Sequence, residues 1–521
     1  MADSGAAPAP VHQRTAGAPT VEFGTARGRW VLLATILGSG MAAIDATVVG
    51  IALPAIGRDF RAGLSSLQWM VTGYMLTLAG LLLVGGALGD RYGRRRVFVA
   101  GAVWFAAASL LCGLAPTAGL LIAARAVQGA GAALLVPSSL AAIEATFMPT
   151  DRARAIGAWS GFGGVATAVG PFVGGWLITS VSWRYIFLIN LPLAVLVVII
   201  CMWQLPETRD ESATGSIDLL GGAVVTLALV GLCFGLTEGA RLGWRSPAVA
   251  GSLIAGVLLL AAFVLRERSV PDPLLPLSLF TSRRFSATNT VTFIVYGALG
   301  AILFLLPIQL QQVSGYSPLE SGLALLPVTV IMLVLSARSG ALAARIGPRL
   351  QMSVGPIVVA AGMILYTRIG AGGTYLTEVL PAVVVFGLGL AATVAPLTAT
   401  ALSSVPSGHA GIGSAVNNDL SRMGGLIAIA VLPTAAGIGE LTYLHPDAFA
   451  AKFRSACYIA AAVCALGGLL AAATLGGGNP PAPEPVPVPS GTQPIPDFHC
   501  GLDAPPLQCQ TPARPAASGR T

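Results

Sequence analysis

The stretch GALGDRYGRR at residues 86–95 occurs a second time as GALAARIGPR at residues 340–349, with six of ten positions identical. Four glycines repeat at nearly the same offset: Gly161, Gly163, Gly174 and Gly175 correspond to Gly411, Gly413, Gly424 and Gly425. A repeat with a period of about 250 residues indicates two copies of one structural unit. We therefore interpret the chain as two parallel halves of similar architecture.

The composition is that of a polytopic membrane protein. The 521 residues are 55% hydrophobic and only 10% charged, with a mean hydropathy of +0.79, whereas an ordinary soluble chain is about one quarter charged. Apolar runs of about 20 residues, enough to cross about 30 Å of hydrocarbon as a helix, recur about fourteen times. The runs are continuous rather than alternating, which favours helices over barrel strands. We predict an all-α bundle of about fourteen transmembrane helices.

The repeat and the apolar runs divide the chain into segments. We expect a disordered cytoplasmic N-terminus at 1–29, a six-helix half at 30–204, two inserted transmembrane helices at 205–266, a cytoplasmic link at 267–286, a second six-helix half at 287–477 and a disordered Pro-rich cytoplasmic tail at 478–521. Cationic residues are about twice as frequent on the side of the N-terminus, which predicts that both termini are cytoplasmic. The net charge of +7 follows from this topology and does not indicate nucleic-acid binding.

Sequence patterns of enzymes and metal sites are missing from the chain. HExxH, GxSxG and Walker sequences do not occur, so we expect neither an enzyme nor a cofactor. His499, Cys500 and Cys509 in the Pro-rich tail are too few for a closed metal site, so no metal is expected. The remaining cysteines lie in or beside apolar runs, where a thiol behaves as a small apolar side chain.

One carboxylate, Asp45, interrupts the first apolar run within Ile44-Asp-Ala-Thr-Val-Val49. A charged side chain at membrane depth is costly, so Asp45 is expected to face the bundle interior and is a functional candidate. Because burial favours the neutral form of a carboxylic acid, such a group can take up a proton on one side of the membrane and lose it on the other. The alternative is a structural carboxylate permanently paired with a cation.

A partner for Asp45 is available in the fourth apolar run, Leu121-Ile-Ala-Ala-Arg-Ala-Val-Gln128. Arg125 and Gln128 lie three residues apart and therefore share one helix face. If that face meets the first run, Arg125 stabilises the Asp45 carboxylate in one state and releases it in another. The alternative is an arginine near a helix end whose guanidinium extends to the outer surface.

These features resemble the major facilitator superfamily, and within it the fourteen-span drug:proton antiporters, over residues 30–477. The resemblance rests on four motifs: the loop motif at residues 86–96, the first-run motif around Asp45, the fourth-run motif around Arg125 and Gln128, and the fifth-run motif that ends Gly170-Pro-Phe-Val-Gly-Gly175. The fifth-run motif is found in antiporters and is generally missing from the uptake symporters of the superfamily. The resemblance therefore implies export.

For the loop motif, the resemblance implies a conformational role. Its glycines permit a tight turn, and an aspartate among arginines forms charge-assisted hydrogen bonds that hold neighbouring helix ends together in one state. A topology anchor made only of positive charge is the alternative. In the second copy Ala344 replaces the aspartate, which puts the same contact in doubt there. The candidate residues are Gly86, Asp90, Arg91, Gly93, Arg94 and Arg95.

For the fifth-run motif, small residues at four-residue spacing, including Gly170 and Gly174, form a groove that lets another helix approach closely. Pro171 removes a backbone hydrogen bond and allows bending, and Gly175 completes the motif. A general seam of small residues is the alternative.

The substrate is expected to bind between the halves. Asn417, Asp419 and Arg422 in the thirteenth run are candidate cavity residues, although Asp419 and Arg422 are equally suited to neutralise one another on one helix face. The tenth run carries no acidic residue from Leu323 to Leu335, which favours a neutral or weakly charged amphipathic drug. The predicted function is proton-coupled efflux of such a drug across the bacterial cytoplasmic membrane by alternating access. We expect a monomer whose partners are the drug, protons and the lipid bilayer; an uptake symporter and a lipid or metabolite exporter of the same fold are the alternatives.

Overall fold

The computed structural model describes residues 21–209, 217–271, 273–405 and 410–475. Within these ranges the chain is helical apart from short connections and one isolated bridge between Val21 and Phe147. The segments predicted to be disordered at 1–20 and 478–521 lie outside the described residues.

Residues 21–29 differ from the expected disordered N-terminus. The amide of Val21 donates to the carbonyl of Thr146 at 2.8 Å, and the amide of Met148 donates to the carbonyl of Val21 at 3.2 Å. The Thr25 hydroxyl caps the first helix by accepting from the amide of Gly28 at 3.1 Å. The prediction for residues 21–29 was wrong because a capped helix start and a bridge to a distant segment leave no hydrophobic signal.

The first half consists of seven helices that form six spans. They are α1 (Ala26–Phe60), α2 (Leu64–Tyr92), α3 (Arg94–Leu114), α4 (Ala118–Thr146), α5 (Pro149–Ser180), α6 (Tyr185–Leu188) and α7 (Asn190–Gln204). The inserted pair follows as α8 (Leu219–Leu242) and α9 (Pro247–Glu267).

The second half begins after a short helical turn at Leu277–Thr281. Its helices are α10 (Arg283–Ile308), α11 (Pro318–Ala324), α12 (Leu326–Ile346), α13 (Pro348–Tyr366), α14 (Leu380–Ser403), α15 (Ala410–Ala435), α16 (Glu440–Leu444) and α17 (Pro446–Thr474), with π-helical turns at Gln309–Val313 and Tyr375–Val379. The link between the inserted pair and this half is shorter than the expected 267–286, because Glu267 still belongs to α9 and α10 begins at Arg283.

Thirteen helical segments among the described residues are long and apolar enough to cross a membrane. Helix α15, with 26 residues, stands where the sequence predicts the thirteenth of fourteen spans. Large apolar side chains cover the outer surface of the bundle; Trp203, for example, is 78% exposed, as expected where the solvent is hydrocarbon. The helical fold class is confirmed, and the chain is a multi-pass membrane protein.

The repeated stretch has the same local structure in both halves. Gly93 and Gly347 precede α3 and α13 with φ of 109° and 83°, a region that favours glycine. The next repeated arginine binds the C-terminal end of the last helix of its own half: Arg95 donates to the carbonyl of Leu205 at 3.2 Å, and Arg349 donates to the carbonyl of Ala472 at 2.7 Å. Each arginine thus satisfies a carbonyl that has no partner within its helix.

The two ends of the bundle differ. We call the end where α1 begins and α2 ends the arginine-rich end, and the end where α1 ends and α2 begins the far end. At the far end the halves are joined by hydrogen bonds: Gln68 donates to the carbonyl of Ile429 at 2.7 Å, and Gln311 donates to the carbonyl of Ile51 at 2.9 Å. The Glu440 carboxylate also accepts from the first amides of α2, at 2.8 and 3.0 Å. The far end is therefore closed.

Toward the arginine-rich end the halves separate along α5. Side chains added at Gly157, Gly161 or Gly164 would meet no neighbouring atom within 4 Å. Phe162, on the same part of α5, is 56% exposed. The described residues thus form a conformation that is closed at the far end and open along this seam.

Helix α8 covers the opposite seam between the halves. It contacts α2 through Trp69, which donates to Glu238 at 3.0 Å, and it shares a small apolar cluster of Leu76, Leu229 and Leu426 with α2 and α15. At its start, Asp218 accepts from Arg266 of α9 at 2.7 Å. These hydrogen bonds from Arg266 hold the pKa of Asp218 below its usual value.

Candidate proton-coupling site

Asp45 and Arg125 meet inside the first half. One guanidinium nitrogen of Arg125 donates to Asp45 Oδ2 and to Gln128 Oε1, the latter at 2.6 Å. Arg125 Nε donates to the carbonyl of Met70 at 3.1 Å. Asp45 is 2% exposed and Arg125 is 1% exposed, so the guanidinium does not extend to the outer surface.

Gln128 completes the contact with Asp45. Its amide nitrogen donates to Asp45 Oδ1 and to the Ser109 hydroxyl, both at 2.8 Å. Asn190, at the start of α7, donates to the same hydroxyl at 3.3 Å. The spacing in the fourth run thus correctly predicts that Arg125 and Gln128 share one face, and that face meets α1.

Aromatic rings enclose the guanidinium of Arg125. Its Cζ lies 4.2 Å from the centre of the Tyr74 ring and 5.7 Å from that of Phe187. Cation–π attraction strengthens when water is excluded, so the rings favour the charged guanidinium in this buried place. The network is built from α1, α2, α3, α4 and the α6–α7 region.

The arrangement can hold or release one proton. With Asp45 ionised, each carboxylate oxygen accepts a donor and the pair with Arg125 is neutral overall. If Asp45 gains a proton, Arg125 loses its counter-charge and the buried cation must move or find another acceptor. The contact between α1 and α4 at this point thus depends on a charge at Asp45. No cluster of three or more metal-ligating side chains occurs in the part of the chain that the structure describes.

Sequence reasoning missed Ser109, Asn190 and Tyr74. All three are buried, but uncharged polar groups in apolar runs usually serve packing, and nothing in their spacing points to Asp45. The signal that exists is Asn190 itself, an amide at the start of a span that otherwise reads as apolar.

The loop motif connects α2, α3 and the segment after α7. Arg94 donates to Asp90 Oδ1 at 2.8 and 3.0 Å, one turn apart across the junction. Glu207, which sequence reasoning missed, accepts from the amide of Arg95 at 3.1 Å and lies 3.6 Å from the guanidinium groups of Arg95 and Arg96. A side chain at Gly93 would meet the movable carboxylate of Glu207, so it is the backbone conformation, with a φ of 109°, that requires this glycine.

Gly86 of the motif has more room than its neighbour Gly85. A side chain at Gly86 would lie 3.7 Å from Pro137, an ordinary contact, whereas one at Gly85 would overlap the carbonyl of Ala133. The close approach of α2 to α4 thus depends on Gly85. The Arg91 guanidinium lies 5.8 Å from the ring of Tyr92.

The fifth-run motif lies at close helix contacts. Side chains at Gly170 and Gly174 would overlap Thr47 and Val48 of α1, the latter at 2.5 Å. On another side of α5, a side chain at Gly175 would lie 2.7 Å from Leu319 of α11. The predicted groove exists, and it joins α5 both to the Asp45 helix and to the second half.

A matching close contact involves Pro171. A side chain at Gly322 of α11 would overlap the carbonyl of Pro171. The motif therefore lies within the closed far end of the bundle.

The three candidate cavity residues separate into different roles. Asn417 is buried and donates to Asn289 and Thr292 of α10, at 2.9 and 2.8 Å, so it packs within the second half. Arg422 donates to Asn418 at 3.1 Å rather than to Asp419. Of the two interpretations left open by the sequence, the hydrogen bond of Arg422 to Asn418 does not support a neutralising pair with Asp419 in this conformation, and contact with the substrate stays a prediction.

Fold and site together define a class. Two parallel six-helix halves, with a buried ionisable network in one of them, are the plan of a membrane transporter rather than of an enzyme. The Major Facilitator Superfamily model matches residues 35–430, and the chain belongs to this superfamily.

Relatives of known role are similar over most of their length. The tetracenomycin C resistance and export protein of Streptomyces glaucescens is 36% identical, covering 84% of this chain and 82% of that protein. A puromycin resistance protein of Streptomyces alboniger is 38% identical, covering 80% and 83%. The multidrug resistance protein Stp of Mycobacterium tuberculosis is 34% identical, covering 80% and 77%.

Solved structures share the fold at low identity. A peptide transporter POT in complex with sulfate superposes with a TM-score of 0.64 at 14% identity, covering 88% of this chain and 96% of that chain. A bacterial homologue of the lysosomal transporter Spinster, in an inward-facing and unoccupied conformation, gives 0.61 at 15% identity, covering 86% and 97%.

Proposed function

We propose that the protein exports amphipathic drugs or antibiotics across the bacterial cytoplasmic membrane in exchange for protons. The observation that carries the proposal is the buried contact between Asp45 and Arg125 with Gln128, an ionisable pair in an otherwise apolar bundle. Intramembrane charges are costly and mark ion pathways. The export direction is supported by the resistance and export proteins to which the chain is similar.

The mechanism is alternating access. With both termini in the cytoplasm, the far end faces outward, so the conformation described here opens to the cytoplasm. In this conformation Asp45 is paired with Arg125, which is the arrangement expected after a proton has left and before the drug binds. Drug binding and outward opening then expose Asp45 to outside water, from which it takes up a proton. In this protonated state Arg125 is released from its ion pair with Asp45.

The residues of the loop and fifth-run motifs serve the change of conformation. The pair of Asp90 and Arg94, together with Glu207, holds helix ends at the arginine-rich end. Gly170, Gly174 and Gly175 let α5 move as a body with close contacts on α1 and α11. The chain acts as a monomer in this scheme, because each half supplies its part of the cavity.

Transport in proteoliposomes tests the proposal. The purified protein is reconstituted, a proton gradient is imposed, and uptake of puromycin and tetracenomycin C is followed with and without a protonophore. We expect gradient-driven antiport by the intact protein and its loss in Asp45→Asn, with Glu144→Gln, the same change at an exposed acid, as the control. Equal gradient-driven transport by Asp45→Asn would remove Asp45 from the mechanism, and co-transport of drug and proton in one direction would identify an uptake symporter.

A further inference from the structure

Asp419 of α15 is a partly buried acid that the Asp45 network does not include. Its Oδ1 atom is enclosed and accepts no hydrogen bond. Arg422, one turn further along, donates to Asn418 at 3.1 Å instead. The carboxyl group therefore lies inside the bundle beside a cation that is directed elsewhere.

This environment suits a protonated carboxyl group. A carboxylate without a donor is unfavourable in a dry place, whereas a neutral carboxylic acid is tolerated there far more readily. Asp45 is in the opposite situation, because both of its oxygens accept hydrogen bonds from α4. One conformation thus holds one intramembrane acid with a donor at each oxygen and a second whose enclosed Oδ1 atom has none.

The charges around Asp419 leave Arg422 as its partner. Helices α2, α8, α10, α14 and α17 pack against α15. Their charged side chains lie near helix ends: Asp90 and Arg91 in α2, Glu238 and Arg241 in α8, Arg283 and Arg284 in α10, and Asp447, Lys452 and Arg454 in α17. Within α15 itself, Arg422 is the one charged side chain besides Asp419, and it stands three residues further along the helix.

We propose that Asp419 is a second proton-carrying group, so that each transport cycle moves one proton on Asp45 and one on Asp419. The inference rests on the antiport function proposed above. Outside water gives a proton to the Asp419 carboxylate when the far end is open. When Arg422 turns from Asn418 to Asp419, it stabilises the carboxylate, and the proton leaves to cytoplasmic water. Two protons enter for each drug molecule that leaves.

Infrared spectroscopy of the full chain in lipid tests the site without any substrate. Difference spectra between acidic and alkaline buffer report the C=O band of a protonated carboxyl group. We expect this band in the wild type, its loss in Asp419→Asn, a shifted band in Asp419→Glu and no change in Glu144→Gln. A spectrum of Asp419→Asn that keeps every carboxyl band of the wild type would overturn the proposal.

Proton stoichiometry tests the role. The puromycin gradient that just balances imposed pH and voltage gradients gives the number of protons per molecule, and we expect two in the wild type, one in Asp419→Asn and two again in Asp419→Glu. Wild-type stoichiometry in Asp419→Asn would overturn the proposal, as would a defect confined to cationic drugs, which would make Asp419 an ammonium contact. If the wild type shows no proton-driven transport, the antiport function fails, while the infrared result still decides the protonation of Asp419.

Discussion

At the scale of single residues, Asp45 and Arg125 can both be buried because each neutralises the charge of the other. The carboxylate has donors from Arg125 and Gln128, and the guanidinium has Met70, Gln128 and the Tyr74 ring besides Asp45. Removing one charge leaves the other buried without compensation, whereas removing both leaves two amides that can hydrogen-bond to each other. Stability and transport should therefore respond differently to the same substitutions.

We expect Asp45→Asn and Arg125→Gln each to lower the free energy of unfolding by about 3–5 kcal/mol. The double variant should recover most of that loss, because no unpaired charge remains, yet it should not regain proton-driven transport. Unfolding midpoints in detergent and transport in proteoliposomes measure the two effects. A double variant as unstable as the sum of the single variants would show that the pair does not act as a unit.

Which residues the sequence predicts depends on how costly they are to bury. Asp45 and Arg125 can be predicted from the sequence because a charge inside an apolar run needs a partner. Asp419 and Arg422 are charged too, but spacing along a helix does not tell which acceptor an arginine takes, and Arg422 takes Asn418. Glu207 lies in a connection between helices, where an acidic side chain carries no penalty for burial and therefore gives no signal in the sequence. Only the folded chain shows its contact with Arg95.

At the scale of elements, α5 is the helix that contacts both the proton site and the second half. Its glycines touch α1 at Val48 and α11 at Leu319. The helices approach so closely at these contacts that there is no room for a side chain. A larger residue on α5 therefore destabilises only the conformation in which the contact exists. The four-residue spacing of Gly170 and Gly174 predicts such a groove, whereas only the folded chain shows that α11 is the partner helix of Gly175.

Gly175→Ala should destabilise the conformation in which the far end is closed. The added methyl group would lie 2.7 Å from Leu319 Cα, and an overlap of this kind costs about 1–3 kcal/mol, enough to shift the equilibrium between conformations about tenfold. We expect faster labelling of a cysteine placed at the buried Ser321 by an impermeant maleimide from outside, with Cys500 and Cys509 replaced by serine.

Gly164→Ala is the matched control on the same helix, since a side chain there meets nothing within 4 Å. Equal labelling rates in the Gly175 and Gly164 variants would mean that the contact with α11 does not hold the far end closed.

The ion pair between the two inserted helices, α8 and α9, depends on pH. Arg266 hydrogen bonds lower the pKa of Asp218, so their contribution is present above the carboxyl group's unfolded pKa of about 3.9 and is lost as pH falls through the lower folded value. Arg266→Gln should lower the thermal midpoint at pH 7, and lower it by less near pH 3, where part of the contribution of the ionised Asp218 is lost.

Thermal midpoints in detergent at the two pH values measure the effect of Arg266→Gln, and Arg268→Gln, at an exposed arginine two residues on, is the control. An effect of Arg266→Gln that is the same at both pH values would contradict a role for the Asp218 carboxylate.

At the scale of the whole molecule, the two seams between the halves are unequal. Helix α8 covers the seam between α2 and α15, with Trp69 bonded to Glu238. The seam along α5 is open toward the arginine-rich end. If the arginine-rich end is cytoplasmic, as proposed, an amphipathic molecule in the inner leaflet meets the open seam on the α5 side. The repeat in the sequence predicts two halves, but only the folded chain shows that the insertion closes one side.

The contact that closes the far end on the whole-molecule scale is Glu440 at the start of α2. Its carboxylate accepts from the amides of Leu64 and Ser65, where the helix dipole adds to the attraction. Glu440→Gln removes the charge and replaces one acceptor oxygen by an amide nitrogen, which cannot accept from either backbone amide, and losing such a hydrogen bond costs about 1 kcal/mol or more. We expect labelling of the Ser321→Cys reporter to accelerate about fivefold or more. Glu378→Gln makes the same change at an acid bonded only within its own half, to Gly370, and should leave labelling unchanged; acceleration by both variants would point to loss of helix stability rather than to opening between the halves.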